Sequence, residues 1–456
     1  MSRSPNILLI LADDFGYGDL GAFGNPHVST PHLDALAAQS LRPRQHYSAA
    51  PVCAPARAGL LTGRYPHRTG AIDTLETRGS DRLALSEVTL ADLLRDHGYA
   101  TGLFGKWHLG AFDPRFHPNR RGFDVFVGFS GGWSDYFHYR LDRNGSISPG
   151  DGRYLTDVIT EEACAFIRQH RQQPFFAHVT YNAPHFPFQA PEADIVPFRE
   201  QQRFTETVCT IYAMNKRMDE GVGRLLETLD ECGLRDGTVV IFTSDNGPQL
   251  GGDAARFNGP WRGSKAHVFE GGIRTPCLIR WPDGLPGDRD DSAMVTFLDY
   301  LPTLLHIAGI PRPNLALDGI DMLPAWRGER AHAPPTRFWQ WTRYRPHPCR
   351  NAAMRDGPWK LVRGAIPRPG ALVPGDGERD RKSKYAADPT PLLSFGPPDG
   401  EPDYGEPSAA MLFHLDEDPG ETRDLAALEP ARVARMEAAL DAWFADVNAD
   451  QGRDGA

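Results

Sequence analysis

Short unbroken apolar runs alternate along this chain with stretches of helical spacing, and the alternation predicts an architecture. Residues 7–11 are all Ile or Leu, the pattern of a strand buried on both faces of a parallel sheet. Further strands are expected at 100–104, 174–181, 277–281 and 238–244, the last being the richest in β-branched residues. Between them, apolar positions three and four apart predict helices after Pro31 (Leu33, Leu36, Ala37), at 89–97, at 156–170 and at 299–308. A longer helix is expected over 204–232, where Tyr212, Met214, Met218, Val222, Leu225, Leu226 and Leu229 make one apolar face. Strands alternating with helices mean an α/β fold, a large mixed, mostly parallel sheet flanked by helices. Residues 118–139 carry Gly and aromatics without a period and read as a long ordered loop, a candidate pocket wall.

Near residue 334 the texture changes. Residues 338–341, 351–355, 359–362 and 411–415 have the pattern of short antiparallel strands, and 430–447 that of an amphipathic closing helix. The expected organisation is a catalytic domain over 1–333 and a smaller C-terminal α+β subdomain over 334–456. Residues 364–403, rich in Pro, Gly and charge, read as an irregular or mobile excursion. The basic run Arg343, Arg345, His347 and Arg350 reads as a solvated face.

Composition narrows the possible partners. With 49 basic and 59 acidic side chains the net charge is −10, which argues against general binding to nucleic acid or anionic membranes. The six cysteines show no paired zinc-type spacing, so reduced thiols are expected rather than a disulfide framework. The first apolar run is too short to span a membrane and is followed at once by Asp13 and Asp14, which favours a core strand over a signal peptide and a cytoplasmic location.

Polar residues stand where the apolar runs stop. Asp13 and Asp14 follow the first strand, and Asp245 and Asn246 follow the strand at 238–244. In open α/β sheets that edge binds ligands, and three carboxylates with an amide make a hard-oxygen cation site. The absence of a clustered His or Cys set favours calcium or magnesium over zinc. Cys53, Pro55 and Arg57 fall at an expected helix start, with Pro55 expected at the first helical position, so a nucleophile made from Cys53 and an anionic substrate would both be stabilised there. Lys106 and His108 flank Trp107, and in an extended segment both would project to one side. His185 lies between prolines in Pro-His-Phe-Pro, which restricts its backbone and suits a placed acid, whereas His178 inside a strand reads as structural. Lys265 sits in a glycine-bounded segment, 259–276, in which Arg274 acts as a ligand or a brace.

Cys53-x-Pro55-x-Arg57, continued as Ala-Gly-Leu-Leu-Thr-Gly-Arg, resembles the signature of the type I sulfatases of the alkaline phosphatase superfamily. The opening Asn-Ile-Leu-Leu-Ile-Leu-Ala-Asp-Asp, the Gly105-Lys106-Trp107-His108-Leu109-Gly110 string and the segment around Lys265 resemble the same family in the same order. The resemblance implies an alkaline phosphatase-like fold and a sulfuric ester hydrolase acting on a sulfated sugar or aryl sulfate. It implies that a maturation enzyme converts Cys53 to formylglycine, and that Asp13, Asp14, Asp245 and Asn246, with position 53, hold Ca2+ or Mg2+. It further implies that Arg57 and the cation stabilise the nucleophile, that Lys106 and Lys265 hold the sulfate, that His185 (or Lys265) protonates the leaving alcohol and that His108 assists release. Two alternatives stay open at this level: a phosphonate monoester or phosphodiester hydrolase of the same superfamily, and a non-catalytic binder of sulfated ligands if Cys53 remains a thiol. The oligomeric state is left open.

Overall fold

The structure, a computed structural model, describes residues 4–249, 256–329, 335–386 and 388–450. The apolar run at 7–11 lies in the strand Asn6–Ala12 (β1), buried along its whole length. In chain order the sheet around it adds Leu41–Tyr47 (β2), Ala100–Lys106 (β3), Val125–Phe129 (β4), Arg140–Arg143 (β5), Ser146–Pro149 (β6), Phe175–Thr180 (β7), Thr238–Ser244 (β8), Cys277–Arg280 (β9) and Arg289–Thr296 (β10). Their order in space is β10-β2-β9-β8-β1-β7-β3-β4-β5-β6. The central run β8-β1-β7-β3-β4 is parallel, while β9 pairs antiparallel with both β8 and β2.

Alternation along β1 builds a core on each face. Ile7, Leu9 and Leu11 enter a cluster with Leu60 and Leu61 of the Cys53–Thr62 helix, and Leu8 and Ile10 enter another with Met214, Met218, Val222 and Leu225 of the Glu206–Glu231 helix. Register levels the strand ends: Leu11 is opposite both Thr180 and Thr243, and Thr180 is opposite Gly105. The carboxyl ends of four adjacent strands therefore open on one edge, where ligands bind in such sheets. Gly105 makes this possible on β3, because its φ is +117° and a Cβ there would stand 2.0 Å from the Thr180 carbonyl oxygen.

Four further strands, Arg337–Gln340 (β11), Ala352–Asp356 (β12), Trp359–Arg363 (β13) and Met411–His414 (β14), pair antiparallel in that order, and the chain closes with the Pro430–Ala449 helix. The expected domain boundary between 333 and 334 lies outside the described residues. A cluster containing Tyr47, Phe269, Trp339, Val362 and Phe413 joins this sheet to the large one. Beside it Lys360 of β13 lies 2.9 Å from the carboxylates of both Glu270 and Glu421, all three fully buried, and Arg274 lies 2.9 Å from Glu270. Burial raises the pKa of Glu421 to about 7, with Glu270 adding to the shift; Lys360, Arg274 and Arg355 outweigh burial at Glu270 and bring it down to about 2.

Periodicity missed β2 and β10. Their sequences, Leu-Arg-Pro-Arg-Gln-His-Tyr and Arg-Asp-Asp-Ser-Ala-Met-Val-Thr, are polar because the strands are matched by charge, with Arg42 2.7 Å and Arg44 3.0 Å from Asp290. The loop expected at 118–139 contains β4, and the Glu192–Arg199 helix was hidden by its internal Pro197. The excursion expected at 364–403 is not simply irregular. It includes the Asp376–Ser383 helix, and Asp376 pairs with Arg78 at 2.9 Å while Ser394 N donates to the Thr77 carbonyl at 2.7 Å. Charge and backbone hydrogen bonds, rather than apolar spacing, hold this segment down.

Candidate active site

Each central strand delivers its chemistry immediately past its last residue. β1 is followed by Asp13 and Asp14, β8 by Asp245 and Asn246, β7 by the 181–188 turn carrying His185, and β3 ends on Lys106 itself. The four acidic and amide side chains are fully buried. Cys53 occupies the first position of its helix, with Val52 as N-cap and Pro55 two residues in, so Pro is not at the first helical position as the sequence suggests. All six cysteines are free thiols in the structure.

The resulting cluster is tight. Cys53 Sγ donates to Asp13 Oδ1 at 3.4 Å, Lys106 Nζ lies 2.6 Å from Asp13 Oδ2, and Lys265 Nζ lies 2.9 Å from the Asp14 carboxylate. His185 Nε2 is 3.7 Å from Asp14 Oδ2. One donor atom from each of Asp13, Asp14, Cys53 and His185 lies within 4.8 Å of the others, a group able to hold a metal ion. Asp245 adjoins it by accepting from Asp14 N at 3.2 Å, and Asn246 by donating from Nδ2 to Asp14 Oδ1 at 2.7 Å. Asn246 Oδ1 is buried with no partner, an oxygen left free for a cation in a set otherwise made of carboxylates. Hard oxygens of this kind fit calcium or magnesium, as expected from the sequence.

Two expectations about direction change. Arg57 does not line the cavity; its Nε and Nη2 clamp Asp245 Oδ2 at 3.1 and 2.8 Å, and Nη1 donates to the Lys106 carbonyl at 3.1 Å. It binds strand ends together and holds a carboxylate, one helical turn from Cys53. Lys106 and His108 do not share an extended face, because His108 has φ +58° and leaves the strand. His108 still lines the cavity, with Nε2 3.0 Å from the Thr74 carbonyl oxygen and Nδ1 buried without a partner. Gly132 makes room for this ring, since a Cβ there would come within 2.5 Å of it. Arg274, left open as ligand or brace, is a brace: it pairs with Glu270 and its guanidinium lies 4.1 Å from the centre of the Trp261 ring. His178 is structural, with Nδ1 3.2 Å from the Leu9 carbonyl oxygen.

Electrostatics fix the protonation states. Burial, only partly offset by Lys106 and Lys265, pushes the Cys53 thiol up to about 12, so the unmodified side chain is a protonated thiol and not a thiolate nucleophile. Burial raises Asp245 to about 6, with Asp13 adding to it. Burial would raise Asp14 too, but Lys265, His185 and Lys106 outweigh it and hold its carboxyl well below the usual range. His185 is brought down to about 3 by burial and then by Lys265. His108 is lowered by burial and then by Lys106. Both imidazoles are therefore neutral, and Lys265, whose pKa Asp14 and Cys53 raise against the effect of burial, stays charged.

The cavity over this cluster measures about 470 Å³ and is lined by Cys53, His108, His185 and Lys265 and also by Glu76, Trp133, Trp341, Arg343 and Asp380. Trp133 lies in the loop expected to form a wall. Arg343 was read as solvated, yet it enters the site and pairs with Asp73 at 2.9 Å. Arg256, absent from every motif, is buried, pairs with Asp19 and donates from Nη2 to the Asp14 carbonyl at 2.8 Å. Glu76 and its partner Lys384 stand 308 residues apart, so no local pattern reveals them.

Known proteins resemble this chain in sequence and in overall fold. The family model described as Sulfatase matches residues 5–310, and that of the C-terminal part of N-sulphoglucosamine sulphohydrolase matches 262–364. Human arylsulfatase A is 34% identical over 93% of this chain and 84% of its own length, and mouse steryl-sulfatase is 31% identical over 99% of this chain and 82% of its own. The crystal structure of Ps i-CgsB in complex with k-i-k-neocarrahexaose has a TM-score of 0.82 and 30% identity, across 97% of this chain and 93% of that one.

Proposed function

The chain belongs to the sulfatase family, and from that premise we propose that it hydrolyses a sulfate monoester, a sulfated sugar in the first instance, with Cys53 acting after conversion to formylglycine. The observation that carries the reading is the convergence of Cys53 with Asp13, Asp14 and His185 donor atoms within 4.8 Å, flanked by Lys106 and Lys265. The protonated, buried thiol supports a precursor rather than a working cysteine. Cys53 Sγ marks the position that the hydroxyls of the hydrated aldehyde would take.

Asp13, Asp14, Asp245 and Asn246 would hold a divalent cation, which would supply Lewis-acid stabilisation of the attacking oxygen and of charge on the sulfuryl group. Lys106 and Lys265 pair with Asp13 and Asp14 and would share that charge with a bound sulfate ester. Arg57 holds Asp245 in position through two hydrogen bonds and offsets part of the burial that raises its pKa. His185 Nδ1 lies 2.5 Å from the Phe186 carbonyl oxygen, an arrangement that puts the proton on Nδ1 and leaves Nε2 toward the site. An arriving anion offsets the nearby lysine charge and favours protonation at Nε2, from which the leaving alcohol can be protonated. His108, neutral and with Nδ1 unpartnered, would assist release by accepting a proton.

The test is the mass of the peptide containing Cys53 from protein made with its maturation enzyme, together with turnover of 4-nitrophenyl sulfate and 4-nitrophenyl phosphate. An aldehyde with faster sulfate turnover, lost by about 10³-fold or more in Cys53→Ala, is the expected result. An intact thiol in active enzyme, or a phosphate ester preferred over its sulfate, would overturn it.

A further inference from the structure

The two loops that carry the expected cation ligands leave the sheet side by side. β1 and β8 pair as far as Ala12, opposite Ser244, and Asp245 N donates to the Ala12 carbonyl at 3.1 Å. Beyond that point side chains make the connections, as where Phe15 N donates to Ser244 Oγ at 3.0 Å. Asp14 has φ +62°, in the left-handed region that a residue other than glycine keeps only when its surroundings hold it there. Its carboxylate belongs to the group able to hold a metal ion. Its amide donates to Asp245 Oδ1 at 3.2 Å, and its carbonyl accepts from Arg256 Nη2 at 2.8 Å.

Arg256 reaches both loops. Its side chain is fully buried and all three of its guanidinium nitrogens donate: Nε to Asp19 Oδ1 at 3.1 Å, Nη1 to the Gln249 carbonyl at 2.9 Å, and Nη2 to Asp19 Oδ2 as well as to the Asp14 carbonyl. Asp19 Oδ2 in turn accepts from Gly16 N at 2.6 Å, which closes the loop on itself. Gln249 lies three residues beyond Asn246. One planar cation therefore ties the segment carrying Asp13 and Asp14 to the segment carrying Asp245 and Asn246. Two residues on, Asn258 Oδ1 accepts from Gly18 N at 3.3 Å, and a Cβ on Gly18 would stand 2.6 Å from Asn258 Cα. Apolar packing would stabilise these loops as well as a buried ion pair does, but it would not fix the Asp14 carbonyl. A rigid fork serves acceptors in several directions at once, which an ammonium on a flexible stem does not.

We propose that Arg256 and Asp19 are the positioning pair of the cation site. They hold the left-handed Asp14 backbone and the segment after Asn246 at the spacing in which the oxygens of both loops meet one divalent ion, and so set the affinity for that ion without touching it. Without the pair, Asp14 relaxes toward an ordinary φ and its carboxylate leaves the donor group. The ion then binds only the fraction of molecules in which the loops are still ordered, and its apparent affinity falls by that fraction. The inference rests on the cation site of the sulfatase reading.

The experiment uses the full-length chain freed of metal with EDTA, titrated with calcium chloride by calorimetry and melted with and without a fixed excess of calcium. Arg256→Lys keeps the charge and loses the fork. It is expected to raise the calcium Kd at least fivefold, which lowers the stabilisation given by that excess of calcium by about 1 kcal/mol. Arg337→Lys is the control, since Arg337 is also buried but pairs with Asp299 and donates to the Asp318 carbonyl at 3.0 Å. It is expected to lower Tm equally with and without calcium and to leave the Kd unchanged. Where Arg256→Lys does not fold, Asp19→Asn, which keeps an acceptor for Gly16 N and removes the charge that orients Arg256, is read against the same threshold. A folded variant whose Kd rises less than fivefold, or an equal rise in Arg337→Lys, overturns the proposal and leaves the cation site standing. A natural chain that binds neither calcium nor magnesium overturns the cation site, and this inference with it.

Discussion

Asp81 shows how one buried side chain can be tested apart from catalysis. Its Oδ2 accepts from the amides of Gly110 and Ala111 at 3.2 and 3.1 Å, and Oδ1 has no partner. Burial and the charge of Glu76 raise its pKa from 3.8 to about 7. The folded chain then holds a proton that the unfolded chain releases, so the group's contribution is fully present below pH 4 and is lost as pH rises through 7. Asp81→Asn keeps the acceptor and removes the titration. Its stability relative to the natural chain should therefore grow by on the order of 2 kcal/mol between pH 5 and pH 8. Denaturant unfolding at the two pH values reads the difference, and a gap that stays constant with pH would show that Asp81 is ionised throughout. No sequence pattern announces such a residue, whereas Asp13, Asp14, Cys53, Lys106 and Lys265 were all legible because each lies in a motif at an element end.

Elements were readable where one physical demand set their composition. β1 and β8 are buried on both faces, so residues 7–12 and 239–242 are all apolar, and the Glu206–Glu231 helix shows its buried face at helical spacing. β2 and β10 satisfy each other by opposite charge, and the Asp376–Ser383 helix is held by Arg78, a partner far off in the chain; neither demand leaves a period. β3 combines both cases: its apolar run is visible, but the need for glycine at 105 is set by β7. Gly105→Ala should cost about 3 kcal/mol or more, since it adds an unfavourable φ to a clash with the Thr180 carbonyl. It should also displace Lys106, the next residue. Thermal unfolding and kcat/KM measured together check this, and an unchanged Tm would mean that the strands do not approach as closely as described.

Across the whole molecule, the two sheets meet through Lys360, Glu270 and Glu421, and this junction backs the segment that carries Lys265. Lys360→Met should destabilise by about 3–5 kcal/mol, because it leaves Glu270 and Glu421 facing each other in the interior. Adding Glu421→Gln should recover part of the loss, and a strictly additive double variant would deny the coupling. The sequence by itself determined the central strands and long helices, the place of Cys53, and the oxygen and cationic residues that gather around it. Those groups sit at strand ends and helix starts, where local pattern and chemistry coincide. Only the tertiary structure decided that Arg57 faces Asp245 rather than the cavity, that Arg343 enters the site, and that Glu76 meets Lys384. Each of these depends on which distant segments share a few ångströms of space, and that proximity is fixed by packing of the whole chain rather than by any stretch of it.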